Sequence, residues 1–230
     1  MTTQYTTLIF VLITIVSAGR LRMGTNNFLS VKTSNNYLGS ASQFAVLAGS
    51  TVTSTGATNV SGSVGVAPGT AITGTINGGS VHAGDSVAQN AQNDLTNGYN
   101  SLKNRSGAVN LTGKDLGGMT LAPGVYKFNA SCALSSGTLT LQGDASSEWI
   151  FQIGSTLLTS ANTSVQMSGG ASASNVYWQV GSSATIATQT NMCGNIIAYA
   201  SITMNTSARL NGRALARVGA VTLMSNNITN

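Results

Sequence analysis

The sequence predicts a mostly β protein: a right-handed parallel β-helix of triangular coils with one long α-helix packed alongside. The main signal lies in the last third of the chain, where one pattern recurs in the segments 175–188, 195–206 and 213–225. The copies lie roughly 18 to 20 residues apart, and a fixed period of that size is typical of a solenoid. Charged residues make up only 7% of the chain, against about 25% in an average globular protein. A single stretch near the middle has helical periodicity instead.

Residues 1–18 are predicted to be a signal peptide, so we expect the mature protein to be secreted. Residues 8–18 form an apolar run that is too short to span a bilayer as a helix, and it ends in the small residues Ser17 and Ala18. The segment before it contains no Lys or Arg, which departs from the usual basic start of a signal peptide. Residues 19–36 have no clear period and are interpreted as a polar leader, with the domain at 37–230.

Three short β-rich runs open the domain. We expect strands within 38–49, 50–55 and 60–69, with Gly-rich turns between them and a Pro68-Gly69 turn at the end. Three strands separated by turns would make one triangular coil.

The predicted helix covers about residues 86–105. Its apolar positions fall on one face at helical spacing: Val87, Ala91, Leu95, Tyr99 and Leu102. Ser86 and Gln89 have the form of a capping box, and Lys103 suits the carboxyl end of the helix dipole. Gly107 can close the helix. A lone amphipathic helix in a β protein must bury its apolar stripe, and one flank of the solenoid is the available surface.

The β pattern resumes after the helix, in the runs 119–128, 132–141, 149–153 and 157–167. Strands stacked coil upon coil pair in parallel, and their inner positions are Val, Ile, Leu and Phe. Right-handed winding is expected from the general rule for parallel crossovers.

The charge pattern argues against nucleic acid as a partner. The ten Lys and Arg residues are scattered singly, without a basic run or an aromatic-interleaved patch that could follow phosphates. A surface made of hydroxyls, amides and methyl groups indicates a partner that is neither a charged polymer nor a small charged metabolite.

The same scarcity of charge argues against an enzyme or a metal site. Among the five acidic residues only Asp144 and Glu148 lie close together, and both flank a turn where solvation or turn capping is favoured. The single histidine, His82, has no His or Cys partner at ligand spacing, and no Gly-x-Ser-x-Gly motif occurs. We therefore predict no catalytic residues, no metal and no cofactor.

The two cysteines, Cys132 and Cys193, fall on different predicted coils. Secretion would permit a disulfide, but this placement favours two buried small apolar residues over a bonded pair.

Many separate motifs resemble a known family. They are, in order, 39–49 (GSASQFAVLAG), 64–69 (VGVAPG), 72–74 (ITG), 94–100 (DLTNGYN), 121–126 (LAPGVY), 149–153 (WIFQI), 211–216 (NGRALA) and 220–223 (AVTL). Together they are similar to the secreted ice-binding (antifreeze) protein family of cold-adapted bacteria, fungi and microalgae. The resemblance covers about residues 38–229.

This resemblance implies a discontinuous β-helix, in which the C-terminal coil closes beside the N-terminal coil. It also implies adsorption to ice through one flat β-face, with thermal hysteresis and inhibition of ice recrystallisation. The expected partner is an ice crystal surface with its ordered water, and the expected state is a monomer without a small-molecule substrate.

The residues support such a surface independently. Stacked parallel strands lie about 4.8 Å apart, so a column of equivalent outward side chains is a regular ladder. Threonine suits such a ladder because its stiff χ1 holds a methyl and a hydroxyl in fixed places.

Alternation along the strands assigns the face. With Ile186, Ile202, Met204, Val221 and Leu223 inward, their neighbours point outward. The predicted ice-binding residues are Ser183, Thr185, Ala187, Ser201, Thr203, Asn205, Ala220, Thr222 and Met224, with Thr51, Thr53 and Thr55 from the N-terminal coil and Ser131, Ala133, Ser135, Thr156 and Ser160 from the middle coils. None of them is charged. A slip of one residue in the middle coils would exchange inside and outside there.

Three functions from different classes stay open on the sequence alone. The first is a secreted ice-binding protein. The second is a carbohydrate-binding or adhesive β-solenoid, which would need a groove with exposed Tyr or Trp such as Tyr177, Trp178 or Tyr199. The third is a polysaccharide-active enzyme, which the shortage of charged residues disfavours. Outward threonines are also common on solvated sheet faces that bind nothing.

Overall fold

The computed structural model describes Leu21–Met23, Asn27–Leu29 and residues 36–230. The predicted signal peptide lies outside the described residues. In the segment interpreted as a polar leader, β1 (Leu21–Met23) and β2 (Asn27–Leu29) pair antiparallel. These strands belong to a unit separate from Tyr37–Asn230, which is the body described below. Among the described residues, no helix is both long enough and apolar enough to cross a membrane.

The N-terminal strands form two stacked coils and the first side of a third. A 3-10 helix covers Gly39–Gln43, where a strand was predicted, and the strands that follow are β3 (Phe44–Ala48), β4 (Thr51–Ser61), β5 (Ser63–Val66), β6 (Ala71–Asn77) and β7 (Val81–Ala83). β4 turns a corner within its length at Gly56, whose φ is +71°. The two halves of β4 therefore supply the second and third sides of the coil that β3 begins, and β5 starts the next coil.

Helix α1 covers Ser86–Lys103 and begins at the residue where the sequence predicted it to begin. Asp85, not Ser86, is the N-cap, and its carboxylate accepts a hydrogen bond from the Ala88 N–H at 2.9 Å. The predicted capping box is therefore wrong, because Ser86 already has helical geometry. The helix also ends before Arg105, and Asn104 is the C-cap.

The buried face of α1 differs from the predicted stripe at its first position. Val87 is 47% exposed, and Ala88 lies inward in its place, followed by Ala91, Leu95, Tyr99 and Leu102. Gly98 also faces inward, where a Cβ would lie 1.9 Å from the carbonyl oxygen of Tyr37. Glycine costs about 1 kcal/mol inside a helix, and here it permits the close approach of the preceding chain.

The remaining strands wind continuously from one end of the stack. They are β8 (Val109–Asn110), β9 (Thr120–Leu121), β10 (Gly124–Phe128), β11 (Cys132–Leu134), β12 (Thr138–Gln142), β13 (Trp149–Ile153), β14 (Leu157–Thr159), β15 (Ser164–Ser168), β16 (Val176–Val180), β17 (Ala184–Ile186), β18 (Asn191–Ala198), β19 (Ile202–Met204), β20 (Arg209–Ala216), β21 (Val221–Met224) and β22 (Asn227–Thr229). The predicted runs 132–141 and 157–167 are each two strands joined by a turn. A second 3-10 helix, Ala173–Asn175, precedes β16.

All the strands of this body pair in parallel, and every coil presents three sides. One side consists of β3, β5, β7, β8, β10, β13, β16 and the second parts of β18 and β20. We call it the helix side, because α1 packs against it through Ile150, Tyr177, Ile197 and Leu215. The other two sides are free of the helix. The predicted β-helix with a helix alongside is therefore confirmed.

The stack is discontinuous in sequence. The body begins inside the stack with β3 and β4, builds outward to β6 and β7 at one end, runs along the helix side as α1, and restarts at β8 at the other end. The coils then return, so that the last coil lies against the first: β20 pairs with β3, β21 with β4, and β22 with β4. The closure of the C-terminal coil beside the N-terminal coil is as the resemblance implied.

The interior is a continuous apolar column. Trp178 is fully buried and stacks on Phe151, with ring centroids 4.0 Å apart, and Tyr126 stacks on the other side of Phe151 at 5.6 Å. Every coil adds Val, Ile, Leu or Met to this column. Since most of these side chains are fully buried, their positions fix which residues must point outward.

Candidate functional site

The side of the stack next to the helix side carries a ladder of threonines, and we call it the threonine face. It consists of β11, β14, β17, β19 and β21 with the first parts of β4 and β6. The outward residues at its centre pair directly from coil to coil. In stack order they are Asp115, Ala133, Leu158, Thr185, Thr203, Thr222, Thr53 and Thr73. Threonine thus occupies the same place in every coil from β17 to β6.

An uncharged column of mostly small residues flanks the central one on each side. The register of the strands places Ser131, Thr156, Ser183, Ser201, Ala220, Thr51 and Ala71 before it, and Ser135, Ser160, Ala187, Asn205, Met224 and Thr55 after it. All the residues predicted for the site therefore lie on one side of the stack. The middle coils are in phase with the rest, because Cys132, Leu157 and Ala184 align as inward neighbours.

Inward neighbours hold the central threonines. Thr185 sits between the buried Ala184 and Ile186, and Thr203 between the buried Ile202 and Met204. The backbone cannot rotate to turn the threonine inward without exposing those apolar side chains. Thr185, Thr203 and Thr222 are themselves half-buried, packed by the columns beside them.

Hydroxyls in the first flanking column bond along the stack. Ser201 Oγ accepts a hydrogen bond from the Ala220 N–H at 3.2 Å, and Ser183 Oγ accepts one from the Ser201 N–H at 3.3 Å. Ser131 Oγ and Thr156 Oγ1 lie 2.7 Å apart. In the part of the chain that the structure describes, no hydrogen bond engages the hydroxyls of Thr185, Thr203 or Thr222. The centre of the face thus offers its hydroxyls to water.

The only charge in the central column lies at its far end. Asp115 accepts hydrogen bonds from the N–H groups of Gly117 at 2.8 Å and Ser135 at 3.0 Å. Burial alone would raise the pKa of this carboxyl, but the hydrogen bonds from Ser135 and Gly117 outweigh it and lower the pKa below its ordinary value. The carboxylate is thereby tied to the backbone at the edge of the stack.

Sequence reasoning missed four members of the face, Asp115, Ala71, Leu158 and Thr73, and the last two bear on the ladder of threonines. Leu158 is 44% exposed and lies in the central column between Ala133 and Thr185. The pair Leu157-Leu158 looks like buried strand, and only the alternation of Thr156 and Ser160 around Leu158 could have revealed it. Thr73 extends the ladder beyond Thr53 in β6. Its position in the run Thr70-Ala71-Ile72-Thr73 was only a weak signal, because such short patterns are common in a chain rich in threonine.

The acidic and histidine side chains considered for catalysis or metal binding have structural partners. Asp144 closes its own turn by accepting from the Ser146 N–H at 2.8 Å, and Glu148 pairs with Arg105 at 3.2 Å. His82 Nδ1 lies 2.8 Å from the carboxylate of Asp85, the helix N-cap. Within residues 36–230 and the two leader strands, no group of His, Cys, Asp or Glu is arranged to hold a metal ion.

Cys132 and Cys193 are buried and unbonded, so the prediction that they serve as small buried residues is confirmed. Burial raises the pKa of both thiols, that of Cys193 to about 12. The thiol of Cys193 lies 3.4 Å from the sulfur of Met167. Both cysteines pack as apolar groups.

Comparison with known proteins gives the family. The sequence profile described as "Ice-binding-like" matches residues 46–229, which covers the β-helix and its helix. The chain belongs to the ice-binding-like family. The resemblance inferred from the motifs is therefore confirmed over most of the chain.

Relatives in this family share both sequence and fold. An ice-binding protein of Nostoc sp. (strain HG1) is 47% identical over 199 residues, which are 84% of this chain and 73% of that protein. The crystal structure of an ice-binding protein from an Antarctic biological consortium matches with a TM-score of 0.80 and 49% identity, over 84% of this chain and 89% of the other. That of an ice-binding protein from the Antarctic ascomycete Antarctomyces psychrotrophicus matches with a TM-score of 0.80 and 41% identity, over 84% and 96%.

Proposed function

We propose that this protein is a secreted ice-binding protein that adsorbs to ice crystals through the threonine face. The observation that carries the proposal is the run of threonines in direct coil-to-coil register, Thr185, Thr203, Thr222, Thr53 and Thr73, on a face whose one charged member, Asp115, lies at the far end. Relatives with up to 49% identity are ice-binding proteins, which supports the same partner for this chain.

The chemistry of the face suits a crystalline partner. Parallel strands repeat about every 4.8 Å, and the period of two residues along each strand sets a second repeat of about 6.6 Å. Methyl groups at these points order the water around them, and the hydroxyls of Thr185, Thr203 and Thr222 anchor that water by hydrogen bonds. The ordered layer then merges with the lattice of the crystal.

Adsorption of this kind needs no turnover. The protein acts without a catalytic residue, a cofactor, a small-molecule substrate or nucleic acid, and it acts as a monomer. Its partner is the ice surface with its ordered water. Crystal growth between adsorbed molecules becomes curved, and this curvature produces thermal hysteresis and inhibits recrystallisation. The apolar segment at residues 8–18 would direct the chain to the exterior of the cell.

The test uses ice crystals grown on a cold stage with the purified protein and two tyrosine variants. Thr203→Tyr places a bulky ring at the centre of the threonine face. Asn211→Tyr places the same ring on the next side of the same coil, where Asn211 is also exposed. Both rings point into solvent, so both variants should keep the wild-type melting temperature.

Faceted crystals and arrested grain growth with the wild type and Asn211→Tyr, but smooth discs with Thr203→Tyr, are the expected results. Smooth discs with the unmodified protein would overturn ice binding. Equal activity in all three proteins would leave ice binding in place but remove the threonine face as its site.

A further inference from the structure

A cleft between α1 and the helix side gathers the positive charge of this charge-poor protein. It has a volume of about 440 Å³, within the range of ordinary ligand sites. Its cationic members are Lys103 at the end of α1, Lys127 in β10, and Arg217 just after β20. None of the residues that line it is acidic.

The cations elsewhere in the described body have other surroundings. Arg105 pairs with Glu148, and Arg213 is held by the Ser42 carbonyl at 3.0 Å and the Asn195 side-chain oxygen at 2.9 Å. Lys114 and Arg209 lie apart from the cleft lining. The cleft is therefore where cations without a neighbouring acidic group come together. Their positive charges repel one another, and an anionic ligand would relieve this repulsion.

Arg217 is fixed in place before any ligand arrives. Its guanidinium donates to Thr96 Oγ1 from two nitrogens, both at 3.3 Å, and lies 4.6 Å from the ring centroid of Tyr99 and 5.3 Å from that of Tyr199. A planar guanidinium held in this way retains donors in a fixed fork, which matches a carboxylate or a sulfate group. Immobilisation beforehand lowers the entropy lost on binding.

The rest of the lining suits a sugar rather than a bare ion. Asn100 and Asn129 present exposed amides at the rim of the cleft, above the buried Gln152, whose Nε2 already donates to two carbonyls. Exposed amides of this kind bond to hydroxyls. Tyr199 is 47% exposed and presents an aromatic surface on which a sugar ring can pack.

We propose that this cleft binds an acidic oligosaccharide segment, one that carries carboxylate or sulfate groups on a hydroxylated chain. The lysines and Arg217 take the anionic groups, the amides take hydroxyls, and Tyr199 takes one ring face. The site is distinct from the threonine face, since none of its lining residues belongs to the columns of that face. It opens at the corner where the helix side meets that face.

The test is affinity electrophoresis of the full chain in gels that contain polygalacturonate, with neutral galactan as the uncharged comparison. The cleft variant is Lys103→Gln with Lys127→Gln, and the charge-matched control is Lys114→Gln with Arg209→Gln. Arg217 stays unchanged because it also joins α1 to the sheet. A second variant, Tyr199→Ala, probes the sugar ring without altering charge.

Polygalacturonate should retard the wild type and the control, and galactan should not. The cleft variant should lose about tenfold in affinity, since each exposed ionic contact contributes up to about 1 kcal/mol and 1.4 kcal/mol is tenfold. Tyr199→Ala should also weaken binding.

Equal losses of affinity in the cleft variant and the control would overturn the proposal, because they would assign binding to the net charge of the whole protein. Full competition by inorganic sulfate or phosphate at matched charge would reduce the cleft to a small-anion site and overturn it as well. Retardation by galactan alone, or by neither polymer, would do the same.

Discussion

Leu158 is the side chain that interrupts the threonine ladder. It occupies the central column where the coils on one side carry Thr185, Thr203 and Thr222, and it is 44% exposed. A leucine has no hydroxyl to anchor water, and its two methyl groups rise above the level of a threonine. The interruption divides the face into a threonine part and a part formed by Ala133 and Ser131.

Replacing Leu158 with threonine should lengthen the ladder by one coil and raise ice-binding activity. The substitution is β-branched and exposed, so the free energy of unfolding should change by no more than about 0.5 kcal/mol. Thermal hysteresis measured at equal protein concentration checks the effect. Leu158→Ala is the control, because it removes the bulk without adding a hydroxyl. An equal gain in both variants would assign the effect to flatness, and no gain in Leu158→Thr would contradict the ladder argument.

Most residues of the candidate face could be predicted, because side chains alternate between inward and outward along a strand. An Ile or Met that must be buried then decides which set points inward. Thr203 between Ile202 and Met204 is the clearest example. Leu158 could not be found in this way, because Leu157 and Leu158 are equally apolar and the inward one is decided by pairing with Cys132. That pairing is a contact between coils, and the only local sign of it is the position of Thr156 and Ser160 two residues to either side of Leu158.

Helix α1 depends on contacts with distant parts of the chain that its own sequence does not predict. Near its carboxyl end, Gln152 donates from its Nε2 to the carbonyl oxygens of Leu102 and Arg105, both at 2.8 Å. These bonds tie the last turn of the helix and the residue after its C-cap to β13. The apolar stripe was predictable from spacing, whereas this contact comes from a strand 50 residues away in the chain.

The middle of α1 is tied to the 3-10 helix Gly39–Gln43 by one carboxylate. Asp94 accepts from Ser40 Oγ at 2.6 Å and from the Ser40 N–H at 2.7 Å. Gly39 lies so close to this carboxylate that a Cβ there would be 2.5 Å from its Oδ2, and its φ of +50° also favours glycine. The hydrogen bonds from the Ser40 hydroxyl and N–H lower the pKa of Asp94 below its ordinary value near 3.8.

This shift predicts a pH dependence of stability. The folded pKa is below that of the unfolded chain, so the stabilisation is fully present above about pH 4 to 5 and is lost as the pH falls through the folded pKa. Thermal unfolding midpoints between pH 7 and pH 2 should fall less steeply in Asp94→Asn than in the wild type. Asn93→Ala, on the exposed side of the same turn, should keep the full wild-type slope. A slope in Asp94→Asn equal to that of the wild type would refute the link.

The whole molecule closes at a seam between chain segments that are distant in sequence. Asn226 is almost fully buried there, and its amide donates to the carbonyl oxygens of Asn205 at 2.9 Å and Ala208 at 3.0 Å. Its side-chain oxygen accepts from the Met224 N–H, and its own N–H donates to Thr58 Oγ1 at 3.2 Å. One residue thus connects the last coil to the coil before it and to the N-terminal coil.

Removing this side chain should weaken the entire β-helix. Asn226→Ala leaves the Met224 N–H without its acceptor and removes the side-chain donor of the Asn205 and Ala208 carbonyls, and we expect a loss of on the order of 3 kcal/mol in the free energy of unfolding. Urea unfolding followed by tryptophan fluorescence measures it, since Trp149 and Trp178 are both buried. The neighbouring Asn227→Ala, an exposed position, should stay within about 0.5 kcal/mol of the wild type. Equal stability of the two variants would show that the seam does not depend on Asn226.

Periodicity predicted the coils but not the order in which they stack. Nothing in the residues of β3 or β4 states that they pair with β20, β21 and β22, because a parallel strand fits any neighbour with similar inward residues. The family resemblance supplied that closure. The cleft between α1 and the helix side could not be predicted from local patterns either, because it brings Lys103, Lys127 and Arg217 together from three separate regions of the chain.

The discontinuous order also determines what the two ends of the stack present. Both ends come from the interior of the chain: β6 and β7 at one, and the segment around Asp115 at the other. An open strand edge can template the addition of another chain, as in amyloid growth. Here the pairing of β6 with β4 shifts register between Thr53 and Ala57, β6 carries Gly74 at a φ of +87°, and the opposite end carries a carboxylate. These irregular and charged edges oppose polymerisation of a protein whose flat parallel sheet would otherwise be well suited to forming fibrils.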